Sequence, residues 1–168
     1  MKYLVSAAAL ALLACAPLFA ADPAAPPLGL PPLVVPADNP QTPDKIALGD
    51  KLFHDKRFSS DGTVSCATCH VKEKFFGDAL KVSEGVGKLT GTRNAPTVLN
   101  AAYSTSAFWD GRSPSLEDQA LHPFVNPVEM KLANHDPILK VVRSDRAYRK
   151  AFQKVFGKTG DQITMKEV

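Results

Sequence analysis

The chain has 168 residues, with 20 Lys and Arg against 17 Asp and Glu, so its formal net charge is +3. Hydrophobic residues make up 45% and charged residues 22%, an ordinary globular composition at a length that suits one domain better than two. No run of like charge marks a nucleic-acid surface, and so small a positive balance selects no partner.

The first residues carry an address. Met1-Lys2 gives a short basic start, and LVSAAALALLACAPLFA is an apolar stretch that ends in small residues. This reads as a secretory signal peptide over 1–21, cut after Ala20 or Ala21 and too short to span a membrane. The LLAC at Cys15 admits a second reading, lipoprotein anchoring through Cys15, which Leu13 fits poorly. Export follows either way. Cys66 and Cys69 are then the cysteines of the mature chain.

Residues 22–41 hold prolines too densely for a helix or a central strand. They predict an extended arm that lies against the body through Leu33, Val34 and Val35. The folded region is expected over 42–168. Thr42 as N-cap and Pro43 at the first helical position open a helix with apolar Ile46, Leu48, Leu52 and Phe53. Ser59-Ser60-Asp61-Gly62 then turns the chain toward Cys66.

From Phe75 to Arg112 periodicity is weak, so a long ordered loop is expected, with one short helix near Asn94–Tyr103. Ser113 and Pro114 start a helix through RSPSLEDQALHPF. Asp136 and Pro137 start another. Tyr148, Ala151, Phe152, Val155 and Phe156 share one face of a third, which Gly157 stops. The final GDQITMKEV reads as the opening of a further helix, as though the chain were cut there. The fold class is mainly α, a cytochrome c-like helical domain with long loops.

The Cys66-Ala67-Thr68-Cys69-His70 motif carries the chemistry. Structural zinc needs about four ligands, typically in two separated pairs, and no second pair exists here. A thioredoxin-like dithiol needs a βαβ setting that the pattern lacks. Covalent haem uses every residue. Thiols one helical turn apart add to two vinyl groups on one porphyrin edge, and His70 supplies the proximal nitrogen to iron. Export agrees, because this attachment happens outside the cytoplasm. Two readings remain at this point: an electron carrier whose iron is closed by a distal Met such as Met130, or an enzyme whose iron keeps an open face.

KIALGDKLFHDKRFSSDGTVSCATCH and GTRNAPTVLNAAYSTSAFWDGRSPSLEDQALHPFVNPVEM resemble the N-terminal haem domain of the bacterial di-haem cytochrome c peroxidase and MauG family. The resemblance runs from about Pro40 to the end. It implies that Cys66 and Cys69 hold the peroxidatic haem c and that His70 is its proximal ligand. Gln119 and Glu129 would be the polar pair over its distal face, with Glu129 moving the proton and Gln119 orienting peroxide. Trp109, in FWDGR, would stand between two haems, and Asn94, in RNAPT, would help hold calcium. Beside Glu129, Met130 then reads as packing rather than as an axial ligand.

The implied activity is periplasmic reduction of hydrogen peroxide to water, with electrons from a small cytochrome c or cupredoxin, in a homodimer of the full-length protein. A MauG-like oxidation of a protein substrate through high-valent iron, or simple electron transfer by one haem, is the alternative. Two departures stand out. Many members carry an iron-ligating histidine where this chain has Val86, so the haem is expected to be five-coordinate at rest or to carry only water. His54 and His122 are other candidate ligands that read more simply as helix-surface and helix-end residues, and His135 reads as surface. The second haem domain, with its own Cys-x-x-Cys-His, is missing from this chain, and apolar surface meant for it is expected to be exposed.

Overall fold

The computed structural model describes residues 29–168. The described residues 29–33 belong to a unit separate from the body, which is 34–168. The expected signal peptide, Cys15 and the start of the arm lie outside the described residues. Val34 is 87% exposed and Val35 38%, so the apolar seating expected of the arm is absent there. Polar contacts hold its end instead. The Asn39 amide donates to Glu117 at 2.8 Å, and Lys45 donates to Asn39 at 3.0 Å.

The body is helical, and among the described residues only isolated bridges, no strands, occur. α1 spans Pro43–Phe53, with the Thr42 hydroxyl accepting from the Lys45 N–H as its sequence predicts. Leu48 is its buried residue, whereas Ile46 is 60% exposed and faces solvent. α2 is one turn, Cys66–Cys69. α3 spans Leu116–Val125, α4 Asp136–Ser144 and α5 Arg146–Phe156. The only helical turn in the Asn94–Tyr103 stretch is a 3₁₀ turn over Ala101–Tyr103.

Helix starts differ in detail from expectation. Ser115, not Ser113, caps α3 by accepting from the Asp118 N–H, and Ser113 instead donates to the Ser115 carbonyl and the Asp118 carboxylate from a fully buried position. At α4 the Asn134 side chain accepts from the Asp136 N–H, so Asp136 is the first helical residue rather than the cap. Asp145 caps α5 through the N–H groups of Ala147 and Tyr148, and Gly157 ends it at φ 67°.

α5 packs against α1 and α4. Tyr148 and Phe152 present one face of α5 to Ile138 and Val142 of α4, and all four are fully buried. The face continues through Phe58, whose ring lies 6.1 Å from those of both Tyr148 and Phe124. Burying such side chains contributes about 1.5–3 kcal/mol each. Ile163 closes this core, with Arg143 donating to its carbonyl at 2.7 Å. The final residues make a 3₁₀ turn, Gly160–Gln162, and a second turn in which Glu167 accepts from the Thr164 N–H and from Lys158.

Candidate haem site

Phe58, Val64 and Ser65 are buried and anchor the approach to α2. The Ser59 hydroxyl accepts from the Val64 N–H, and the Thr68 hydroxyl accepts from the Ser65 N–H at 2.9 Å, which fixes the start of the one-turn helix. Cys66 and Cys69 are both free thiols, one helical turn apart on α2 and half-buried. Burial pushes the Cys66 thiol up to about 11 and raises Cys69 as well, with the Glu129 carboxylate adding to both. The Glu129 carbonyl accepts from the Val86 N–H, two residues on from the Glu84 carbonyl that lies 4.0 Å from the Cys69 sulfur, so Glu129 lies on the cysteine side of the domain.

α2 ends at His70, whose N–H still donates to the Cys66 carbonyl while its backbone leaves the helix at φ −114°. Its Nδ1–H donates to the Phe76 carbonyl at 3.1 Å. That bond selects the tautomer with its lone pair on Nε2, the nitrogen a metal would take. The partner carbonyl is aimed by a strained turn. Phe75 and Phe76 both sit in the left-handed region, at φ 57° and 58°, with no glycine to ease it. The turn is held shut by Val71 N–H to the Gly77 carbonyl and by Phe76 N–H to the Val71 carbonyl. The Phe53 ring lies 6.1 Å from the His70 ring.

The segment 84–90 closes against residues 128–130. The Val86 N–H donates to the Glu129 carbonyl at 2.8 Å, and the Val86 side chain is buried in the core. Gly85 is required for this approach, because a Cβ there would stand 2.2 Å from the Val128 carbonyl oxygen. Met130 is 3% exposed and part of the core, in keeping with a packing role. The half-buried Glu129 carboxyl is raised by burial, partly offset by the charge of Arg112, and its Oε1 accepts from Asn126 at 2.6 Å. Gln119 sits half-buried on α3, and its side chain makes no hydrogen bond among the described residues. The structure brings Glu129 toward the cysteines but records no contact joining Gln119 to it.

Trp109 is 61% exposed, and its indole N–H donates to the Asn94 carbonyl at 2.8 Å. The Asn94 side-chain amide donates to the Leu80 carbonyl, which leaves its Oδ1 open. Asp110 ties this corner together by binding both Arg93 and Arg112 at 2.8 Å. His54 pairs with Asp50 on the exposed end of α1, and His122 pairs with Asp118 and meets the Phe108 ring edge-on. His135 is a correction: it is half-buried, bound to the Leu121 carbonyl at 2.9 Å and packed edge-on to Phe124.

Cys66, Cys69 and His70 are thus the residues that could hold a haem c, and they fit the group: two unpaired thiols one turn apart, followed by an imidazole with its distal nitrogen free and its other nitrogen tied. Residues missed by sequence reasoning are Phe76, which acts through its carbonyl, and Gly85. The Gly85-Val86-Gly87 stretch was a signal for the second, and nothing in Phe75-Phe76 marks the first.

A family model described as di-haem cytochrome c peroxidase matches residues 43–168. The chain is 41% identical over 132 residues to cytochrome c peroxidase Ccp of Escherichia coli K12, a match covering 77% of this chain and 28% of that one. It is 42% identical over 122 residues to methylamine utilization protein MauG of Methylorubrum extorquens, covering 73% and 34%. Among solved structures it matches a MauG-like protein associated with microbial copper homeostasis at 33% identity and a TM-score of 0.72, over 85% of this chain and 45% of that one. The diheme peroxidase BthA of Burkholderia thailandensis matches at 26% identity and a TM-score of 0.63, over 71% and 34%. The chain spans about a third of the length of the curated relatives it matches.

Proposed function

The chain belongs to the di-haem cytochrome c peroxidase family, and from that premise we propose that residues 42–168 form an exported c-type haem domain for the reduction of hydrogen peroxide to water. It works with a second haem domain and takes electrons from a small periplasmic cytochrome c or cupredoxin, in a homodimer. The observation that carries this reading is the Cys66–Cys69–His70 arrangement with the Nδ1 of His70 tied to Phe76. Bound haem supplies a Lewis-acidic, redox-active iron at which peroxide can be held and cleaved.

The chain's own residues do the rest. Cys66 and Cys69 would hold the porphyrin edge, and His70 would offer Nε2 to the iron, its ring orientation held by the Phe76 carbonyl. Glu129 takes a proton from one peroxide oxygen and returns it to the other. Its raised pKa suits that exchange, and Asn126 on Oε1 leaves Oε2 as the oxygen that carries the proton. Gln119 orients peroxide through its amide. Trp109, with its ring exposed and its indole N–H tied to Asn94, receives electrons from the second domain. Asn94 offers Oδ1 to a calcium ion shared with that domain. Val86 cannot ligate iron, so the site needs no reductive activation. A MauG-like oxidation of a protein substrate is the second reading, favoured by the same exposed Trp109 ring as an exit for oxidising equivalents.

The test is stopped-flow reaction of the full haem-loaded chain with hydrogen peroxide, without prior reduction. Rapid reaction of the ferric protein, slowed by Glu129→Gln, is expected. A ferric haem inert to peroxide would count against an open peroxidatic site.

A further inference from the structure

Among the described residues, two buried side-chain polar atoms lack any hydrogen-bond partner, Asp78 Oδ2 and Ser83 Oγ. Both belong to the stretch that leads from the strained 71–77 turn to Glu84, whose carbonyl lies 4.0 Å from the Cys69 sulfur. Asp78 is 4% exposed. Its Oδ1 accepts from the Leu80 N–H at 2.9 Å, and no cation pairs with its carboxylate. The ammonium of Lys74, an exposed residue, donates to the Asp78 backbone carbonyl at 2.8 Å rather than to its carboxylate. Burial raises the Cys69 thiol, and the Asp78 carboxylate adds to this through space, while the Ser83 hydroxyl opposes it without forming a full hydrogen bond. The antiparallel bridge between Val71 and Gly77 also folds the chain back so that Asp78 comes across from His70, the residue that follows Cys69.

Leaving a buried carboxylate with one bare oxygen costs free energy that a water-facing Asp would not. It is kept at the one place where a thioether bond would bring the conjugated ring into its field. We infer that Asp78 is a positioning residue that acts through charge: its buried carboxylate beside Cys69 holds down the reduction potential of the haem iron and so favours the ferric state that meets peroxide. The inference rests on the haem reading above. Reduction adds one electron to the iron site, and a fixed negative charge in a medium of low dielectric opposes it with little screening. Glu129 acts on Cys69 in the same sense, but it exchanges protons, whereas Asp78 lies outside the proposed proton route.

The experiment is a spectroelectrochemical titration of the full haem-loaded chain and three variants. Asp78→Asn is expected to shift the midpoint potential upward, Asp78→Glu to bring it back toward wild type, and Ser83→Ala, which leaves the charge in place, to stay near wild type. An unchanged potential in Asp78→Asn overturns the inference, and so does an equal shift in Ser83→Ala, which would trace the effect to packing. If Asp78→Asn does not fold, Asp78→Ser takes its place. Failure of both neutral variants to hold haem, with Asp78→Glu intact, also overturns it in favour of a folding role. A wild-type chain that takes up no haem sinks the functional reading itself, and the charge argument with it.

Discussion

His70 and Glu129 show how single residues are prepared by their neighbours. The histidine's tautomer is chosen by a backbone carbonyl that no side-chain substitution at Phe76 removes. The strained turn that aims it is the vulnerable part. Replacing Phe76 by glycine keeps the carbonyl and relieves the left-handed backbone, so it is expected to spare haem binding, while a proline there cannot adopt φ 58° and should abolish it. Pyridine haemochrome spectra of the two variants distinguish these outcomes. Glu129 makes a pH prediction. Its folded pKa is raised by burial, so the folded state binds its proton more tightly than the unfolded state does. Its contribution to stability is full below the ordinary carboxylate range and is lost as pH rises through the raised value. Urea unfolding from pH 4 to pH 8 should show wild type losing stability relative to Glu129→Gln. The same variant should slow the reaction with peroxide by about 10²-fold or more.

The elements rest on contacts of unequal legibility. α1 was readable because Thr42 and Pro43 supply the start by local chemistry alone. The start of α3 was not, because serines flank Pro114 on both sides and only burial of Ser113 decides between them. His135 was misread for a related reason, since exposure is set by tertiary neighbours that composition does not name. The haem motif was legible because its residues are adjacent in the chain. The Phe76 carbonyl and the Asp78–Ser83 pair were not, because backbone groups and orphaned atoms leave no residue-type signal.

α5 holds the body through Tyr148, whose hydroxyl donates to Asp55 at 2.8 Å, while Arg57 binds both Asp55 and Asp145. Tyr148→Phe should cost about 1–2 kcal/mol by depriving Asp55 of a partner. Phe152→Ala, a large cut in the core, should cost about 3–5 kcal/mol. Burial works to raise Asp55, but Arg57 overrides it and leaves the carboxyl lowered, and Asp145 is held at about 2, first by the Tyr148 N–H. Stability from these depressed carboxyls is present above the ordinary Asp range and is lost as pH falls toward 2. Acid unfolding of wild type and Arg57→Ala should converge there. At the rim of the site, Gly85→Ala drives a methyl into the Val128 carbonyl and is expected to destabilise by about 1–3 kcal/mol.

At the scale of the whole molecule, most of the exposed apolar groups of the body lie outside the helices that build the core, Ile46 of α1 and Leu116 of α3 apart. α1, α3, α4 and α5 supply much of the buried surface, whereas Phe75, Leu80, Val98, Leu99 and Trp109, all exposed, come from the long loop between α2 and α3. Exposure of this kind is what a surface made for another domain shows. Trp109 is the single tryptophan of the chain, so it reports on that surface directly. Its emission in the haem-free chain should be red-shifted and readily quenched by acrylamide, and a blue-shifted, protected emission would contradict the exposed ring. The central claim is that Cys66, Cys69 and His70 hold a covalent haem, and intact mass measured under denaturing conditions tests it most directly. The chain would be produced in a host that attaches c-type haem, beside a Cys66→Ala/Cys69→Ala variant. One haem per wild-type chain that survives denaturation, and none on the variant, is the predicted result; an unmodified wild-type mass, or haem released on denaturation, would contradict it.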